Sequence, residues 1–252
     1  MITRTNLLNY LNQLLESEKI SDYCPNGLQV EGREEISILI TGVSASQALI
    51  DRSLELQADA MLVHHGFFWK NENPCLVGIK KNRLAALLSQ QINLFAYHLP
   101  LDIHLTYGNN AQLAKILDLS ITDKIAVGNI PNLLWLAKLA GPIDSKVFRQ
   151  KITNSLQRAP LHISASNPMI AKLGWCTGAA QDYLEIAVAA GCDAYITGEV
   201  SERTVLTARE NNVHFFAAGH HATERYGVKA LGEHLAEKFG IQHHFVDIDN
   251  PV

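Results

Sequence analysis

The sequence lacks several features that would assign the protein to a specialised class. It has no apolar run of 18 residues, so no membrane-spanning helix is expected, and its polar first ten residues lack the apolar core of a secretory signal peptide. There is no GxxxxGKS/T loop of the kind that binds nucleoside triphosphates. The net charge of −4 gives no overall basic surface for nucleic acid, although a local basic patch is compatible with it.

Cysteine is also scarce, whereas histidine is abundant. Cys24, Cys75, Cys176 and Cys192 are scattered and form no CxxC pair. We therefore expect free, buried thiols and a reducing, cytoplasmic environment. The eleven histidines, by contrast, cluster along the chain, so histidine is the residue type to follow for chemistry.

Apolar strands alternate with amphipathic helices along the 252 residues, which predicts an α/β fold with a mostly parallel sheet. Turn-forming residues at 123–132 suggest a hinge, and we expect a discontinuous metal-binding lobe at 1–126 plus 213–252 and a second α/β lobe at 127–212. The predicted strands are 27–30, 36–43, 60–65, 92–97, 133–140, 170–176, 193–197, 213–217 and 244–248. The predicted helices are 3–18, 46–58, 82–91, 108–119, 144–156, 180–190, 201–211 and 223–239.

The two halves of the chain resemble each other at fixed spacing. When Asp59 is placed on Asp193, His65 falls on Glu199 without a gap, and the next strands match as well, residues 94–96 with 215–217. Strand–helix patterning that all α/β proteins share would produce part of this similarity. Polar, ligand-type residues at matching strand ends favour an internal repeat.

Two adjacent histidines, His64 and His65, end a short apolar run and are followed by Gly66. The carboxyl ends of strands are where open α/β sheets place their ligands. Neighbouring side chains of a strand point to opposite faces, so the two histidines converge on one site only if the chain bends there, which a glycine permits. The alternative is that each histidine binds a separate ion.

Residues 94–96 and 215–217, which match each other in the two halves, are predicted strands. Each of these strands is followed by a histidine and, four residues further on, by a carboxylate. These pairs are His98 with Asp102 and His220 with Glu224. A helix that starts near His220 would place His220 and Glu224 on one face, where they could share a metal. Pro100 is expected to prevent a helix between His98 and Asp102, so a loop would hold that pair.

Each of these residues also has an ordinary structural role. A histidine at a strand end commonly makes a structural hydrogen bond, Asp102 could cap a turn, and Glu199 and Glu224 could stabilise helix N-termini. The coincidence of four histidines and two or three carboxylates at strand ends favours a metal site. Mixtures of histidine and carboxylate suit Zn, Mn, Fe or Co, and not Ca or Mg alone.

Four short motifs stand at these strand ends, namely His64-His65-Gly66, His98-x-x-x-Asp102, Thr197-Gly198-Glu199 and Gly219-His220-x-x-x-Glu224. Together with Gly27-Leu28-Gln29-Val30 they resemble the motifs of the dinuclear-metal family called GTP cyclohydrolase 1 type 2, the YbgI-like proteins. The resemblance extends from residue 5 to residue 250, nearly the whole chain.

This resemblance implies a fold, an assembly and a metal site. It implies two three-layer α/β/α lobes with the metals in the cleft between them, and subunits that form a homohexameric ring. Each subunit would hold two divalent ions, of Fe, Mn, Zn or Co, bridged by Glu224. His98 and Glu199 match motif positions near the site and are the candidate catalytic residues. The implied metal ligands are His64, His65, Asp102, His220 and Glu224.

The resemblance also implies an activity, the hydrolytic opening of the guanine ring of GTP. A hydroxide shared by two ions roughly 3.5–4 Å apart would attack C8 of the ring, and His98 or Glu199 would move protons. Attack on phosphorus in a phosphoester is the alternative reaction. No cationic cluster lies near the ligand motifs apart from Arg203 and Arg225, which disfavours dedicated triphosphate recognition. A metal-bound ring without turnover and a nucleic-acid-associated or DNA-damage protein remain as alternatives to an enzyme.

Overall fold

The computed structural model describes all 252 residues. The chain divides into two compact units: unit 1 contains residues 1–108 and 227–249, and unit 2 contains residues 109–226 and 250–252. These bounds differ from those of the predicted lobes, because residues 109–126, 213–226 and 250–252 belong to unit 2. The segments 109–126 and 213–226 contribute buried side chains to the hydrophobic core of unit 2. No helix combines the length and the apolar character that crossing a membrane requires.

Helices and strands alternate along the chain. The first half contains β1 (Ile2–Thr3), α1 (Arg4–Leu15), β2 (Gly27–Val30), β3 (Glu35–Ile36), β4 (Ile38–Ser44), α2 (Gln47–Glu55), β5 (Ala60–His65), α3 (Gly78–Ser89), β6 (Asn93–Ala96), α4 (Leu99–Ile103) and α5 (Asn109–Ile116). The second half contains β7 (Ile121–Val127), β8 (Ile130–Asp144), α6 (Ser145–Leu156), β9 (Leu161–Ile163), β10 (Met169–Trp175), α7 (Leu184–Ala189), β11 (Ala194–Thr197), α8 (Glu202–Glu210), β12 (His214–Ala217), α9 (His220–Phe239) and β13 (Gln242–Phe245). Short 3-10 turns lie at Ser17–Lys19 and Gln181–Tyr183.

Unit 1 is a three-layer α/β/α sandwich. Its five-stranded sheet has the order β13-β4-β5-β6-β2, in which only β2 is antiparallel to its neighbour. Successive residues of β5 point to opposite faces. Leu62 packs in a core with Leu11 of α1 and Leu231 of α9, whereas Met61 packs in a second core with Leu49 of α2. The buried, apolar strands are thus covered by helices on both sides, as parallel sheets require.

Unit 2 contains a mixed six-stranded sheet of order β7-β8-β10-β11-β12-β9. The inner strands β10, β11 and β12 are parallel, and the outer strands pair antiparallel. On one face, Trp135, Phe148 and Phe216 form a core with α5 and α6. On the other face, α7 and α8 bury Leu184 and Ala208. The predicted α/β fold is confirmed, with more antiparallel structure in this unit than expected.

The predicted hinge at residues 123–132 is wrong. This segment contains most of β7, the turn at Gly128, where φ is +58°, and the start of β8. Polar composition is compatible with a strand here because β7 is an edge strand, where charged residues such as Asp123 and Lys124 discourage pairing with other chains. β9 was also not predicted, since its three residues are too short for a period to show.

The strand pairings of the two units coincide under the alignment of the two halves. In unit 1 Ala60 pairs with Asn93 and the register continues to the strand ends, and in unit 2 Ala194 pairs with His214 in the same way. Asp59 accepts hydrogen bonds from the backbone N–H groups of residues 37 and 38, and Asp193 accepts them from residues 171 and 172. This agreement is consistent with an internal repeat.

Candidate metal sites

The two adjacent histidines at the end of β5 converge. The ring centroids of His64 and His65 lie 4.4 Å apart, and one nitrogen from each, with one from His98, lies within 4.8 Å of the others. Gly66 does not adopt a left-handed conformation. A Cβ at Gly66 would overlap the Gln29 side chain, so the glycine allows the chain beyond the histidines to pack closely against β2 and β6.

Each of these two imidazoles is oriented through its Nδ1 atom. His64 is fully buried and its Nδ1 lies 3.0 Å from the carbonyl oxygen of Tyr97. A carbonyl can only accept, so Nδ1 of His64 donates, and the neutral ring then presents the lone pair of Nε2. His65 Nδ1 lies 3.0 Å from the Ser44 hydroxyl. Such outer contacts are the ones that fix metal-binding histidines in structures.

Asp102 lies beside His64, on a helix that the sequence did not predict. Its Oδ1 atom is 3.4 Å from His64 Nε2, and the residue is buried. The expectation that Pro100 prevents a helix here is wrong, because α4 begins at Leu99 and places Pro100 in its first turn. Proline is well accepted there, since the first backbone N–H groups of a helix have no intrahelical partner.

His98 is held by Asp22, a residue that the sequence analysis missed. His98 Nδ1 lies 3.0 Å from Asp22 Oδ1, and the backbone N–H of Leu99 donates to Asp22 Oδ2. Burial opposes ionisation of Asp22, but the hydrogen bond and charge of His98, with hydrogen bonds from Asn26 and Leu99, hold the pKa of the carboxyl well below its usual range. The indole ring of Trp69 contacts His98 edge-on.

Cys24 is close to this pair but is a poor metal ligand. A group formed by Asp22, Cys24 and His98 has one ligand-type atom from each residue within 4.8 Å of the others. Burial, followed by the Asp22 charge, raises the pKa of the Cys24 thiol far above its usual value, so the thiolate that binds metals is disfavoured. All four cysteines are free, and Cys176 and Cys192 are buried as predicted, whereas Cys75 is exposed.

In unit 2, His220 lies between two carboxylates. α9 begins at His220, as the predicted geometry requires, and His220 Nε2 is 3.0 Å from Glu224 Oε2. Its Nδ1 atom is 2.7 Å from Glu199 Oε1. Burial lowers the pKa of His220, but the hydrogen bonds and charges of Glu224 and Glu199 outweigh that effect and raise it to about 9. A metal ion bound at Nε2 of His220 would displace the proton that this atom carries in the protonated ring.

Two glycines leave the space in which these side chains lie. A Cβ at Gly178, where φ is +69°, would overlap Glu224 Oε1. A Cβ at Gly198 would lie 2.6 Å from the Cα of His220. Gly178 was not recognised from the sequence, because a single glycine after β10 gives no periodic or motif signal.

The donor groups fit a divalent transition metal. Unit 1 offers three imidazoles and the buried carboxylate of Asp102, and unit 2 offers an imidazole with the buried carboxylate of Glu224. Imidazole and carboxylate are the ligands that Zn, Mn, Fe and Co accept, and carboxylate buried at this level usually requires a cation or a hydrogen-bonded partner. These buried His, Asp and Glu groups could therefore hold metal ions.

Residues 2–251 match the sequence model of the family described as Duf34/NIF3 (NGG1p interacting factor 3). The chain belongs to the Duf34/NIF3 family. It is 54% identical over 242 residues to a Haemophilus influenzae protein named GTP cyclohydrolase 1 type 2 homolog, covering 96% of each chain. A Pseudomonas aeruginosa protein of the same name is 51% identical over 250 residues, covering 99% of each chain.

A solved structure described as "protein ybgI, unknown function" shares the fold of this Duf34/NIF3 chain. Its TM-score is 0.96 at 46% sequence identity, and the match covers 100% of both chains. The resemblance inferred from the motifs is therefore confirmed at the level of family and fold. The names of these relatives assign no demonstrated reaction to them.

Proposed function

We propose that this protein is a dinuclear metal-dependent hydrolase that acts on a nucleotide or a related heterocycle. One arrangement that occurs in both units carries the proposal. Nδ1 of His64 is engaged by a carbonyl and Nδ1 of His220 by Glu199, while Nε2 of each ring faces a buried carboxylate, that of Asp102 or Glu224. Metal-binding histidines in proteins are oriented in this manner.

The proposed ligands are the five expected from the motifs, and they include His220 and Glu224 of unit 2. When bound, the ions would supply a Lewis acid and a water of lowered pKa at neutral pH. His98 is proposed to transfer a proton, because the Asp22 carboxylate accepts a hydrogen bond from its Nδ1 and directs the ring. Glu199 is proposed to hold the tautomer of His220. The other three proposed metal ligands lie in unit 1 and are His64, His65 and Asp102.

The name that the relatives carry supports a nucleotide-like substrate, since it refers to GTP. We also propose a homohexameric ring and a cytoplasmic location. The exposed apolar side chains of Leu76, Val77, Ile79 and Leu88 support self-association, and the free cysteines support a reducing compartment. Light scattering of the purified protein should give a mass near six times that of one chain.

Metal analysis and an activity screen test the function. Protein purified without added metal should contain about two ions per chain, and a screen of nucleotides with Mn, Fe, Co and Zn should reveal hydrolysis. His65→Ala should lose metal and hydrolysis, whereas His244→Ala, which removes a histidine hydrogen-bonded to Gln242, should keep both. Full metal content without hydrolysis of any nucleotide would contradict the enzyme and favour a metal-bound scaffold.

A further inference from the structure

Unit 2 contains a large cavity at the carboxyl ends of β11 and β12, the edge at which His220 begins α9. Its volume is about 1210 Å³, enough for a nucleotide-sized molecule. Gly198, Glu199 and Ala217 line it at the strand ends. The start of α6 and the segment at 158–164 line its sides. The cavity therefore shares Glu199 with the His220 site.

The charged side chains of this cavity are mostly cationic. Lys146 and Arg149 project from α6, and Arg158 follows that helix. None of the three forms an ion pair with a carboxylate, and the buried Nε atom of Arg158 has no hydrogen-bond acceptor. Glu199 also lines the cavity, but its carboxylate is engaged by His220. Unpaired cations in a cleft concentrate anions there, even in a chain of net negative charge.

Arg158 lies close to the start of α9, where a glycine leaves room for it. Gly219 has φ of +100°, and a Cβ on it would lie only 2.6 Å from Arg158 Nε. The guanidinium therefore packs over the residue that precedes His220. Arg203 and Arg225, the cations that lie near the ligand motifs in the sequence, have other partners. Arg203 pairs with Asp182, and Arg225 donates to the carbonyl of Leu156.

His162 lies in the cavity as a neutral residue. Burial, and then the charges of His214 and Arg149, lower its pKa to about 4. Its Nε2 lies 3.0 Å from His214 Nδ1, and His214 Nε2 lies 2.8 Å from the carbonyl oxygen of Asn167. That carbonyl makes His214 Nε2 a donor and its Nδ1 an acceptor, so His162 Nε2 donates. The positive charge of the cavity is thus supplied by lysine and arginine alone.

We propose that this cavity binds the phosphate group of a phosphorylated, nucleotide-like substrate, with Arg158, Arg149 and Lys146 as the phosphate-binding side chains. Guanidinium groups match phosphate oxygens with paired hydrogen bonds. The exposed apolar side chains of Leu161 and Val200 line the same cavity and suit the flat face of a heterocycle. That the bound molecule is the substrate rests on the proposed function; that the cavity binds phosphate does not.

Calorimetric titration of the full chain with GTP, pyrophosphate and guanosine tests the site. Metal is removed with EDTA, so that neither turnover nor a metal–phosphate contact contributes. Arg158→Gln and Arg149→Gln should each weaken GTP and pyrophosphate about tenfold or more, because each removes charge-assisted hydrogen bonds to phosphate. Arg203→Gln, which removes an exposed cation of unit 2 outside this cavity, is the matched control and should bind as the wild type does.

Arg149 is exposed, so Arg149→Gln gives a result even if Arg158→Gln fails to fold. Unchanged affinity for GTP and pyrophosphate in Arg149→Gln, or equal weakening in Arg203→Gln, would overturn the proposal. Phosphate binding that depends on Arg149, without hydrolysis of any nucleotide by the metal-loaded protein, would contradict the proposed function and support this site. Hydrolysis with a KM that Arg149→Gln leaves unchanged would support the function and overturn this site.

Discussion

Replacement of Gly178 by alanine would test whether the space beside Glu224 is needed for metal binding. At φ of +69° a residue with a Cβ is less stable than glycine by about 1–2 kcal/mol. The new Cβ would also overlap Glu224 Oε1 and lie 3.3 Å from His220 Nε2. The carboxylate is the mobile end of the Glu224 side chain, so we expect the clash to turn it away from His220.

Gly191→Ala is the matched control, because Gly191 has φ of +75° and no atom lies within 4 Å of the added Cβ. Both variants should therefore lose about 1–2 kcal/mol of stability, or roughly 2–4 °C in Tm for each kcal/mol. Only Gly178→Ala should also bind metal about tenfold or more weakly, since changes next to metal ligands commonly reduce affinity by 10–100-fold.

Competition titration of Co²⁺ or Zn²⁺ against a coloured chelator measures this metal affinity, and thermal unfolding of the metal-free variants measures the backbone effect. Wild-type affinity in Gly178→Ala would refute the assignment of Glu224 as a ligand. Equal loss of affinity in Gly191→Ala would show that destabilisation of unit 2, and not the lost space, weakens the site.

Two further predictions concern stability. Asp193→Ala should lower the free energy of unfolding, measured in urea, by about 3 kcal/mol, because it removes the acceptor of two backbone N–H groups. Asp182 forms an exposed ion pair, so Asp182→Ala should lower the free energy of unfolding by less than about 1 kcal/mol. Burial is the first cause that lowers the pKa of His162 and of His243 to about 4. Between about pH 6.5 and 4 the unfolded chain therefore binds more protons than the folded chain does. The free energy of unfolding should fall as the pH drops through that window. His243→Gln removes one of the two titrating groups and should make this fall smaller.

Local patterns predicted most of the elements, because their signals lie within a few residues. Ser46, Ser201 and Asp144 cap α2, α8 and α6, and serine and aspartate are residues that favour the N-cap position. The segment at 123–132 was misread because its polar residues suit a turn and an exposed edge strand equally well. Only the pairing with β8, which is a tertiary contact, decides between the two.

The candidate site was predictable where its residues stand in compact motifs. His220 and Glu224 are one helical turn apart, so their contact follows from a helix that begins at the right residue. Asp22 is 76 residues from His98, and Arg158 lies close to Gly219 only in the folded chain. No spacing rule connects such residues, since their proximity depends on which strands and loops are neighbours in the sheet.

The alignment of the two halves explains how one architecture gives two different strand ends. Ser44 and Gly178 occupy equivalent positions, as do His65 and Glu199. In unit 1 the Ser44 hydroxyl contacts His65 Nδ1 at 3.0 Å and orients the imidazole. In unit 2 the absence of a side chain at Gly178 leaves room for the Glu224 carboxylate, which projects from α9. A serine at 178 would place its Cβ where that carboxylate lies, so a single difference between equivalent positions decides whether the strand end orients an imidazole or admits a carboxylate.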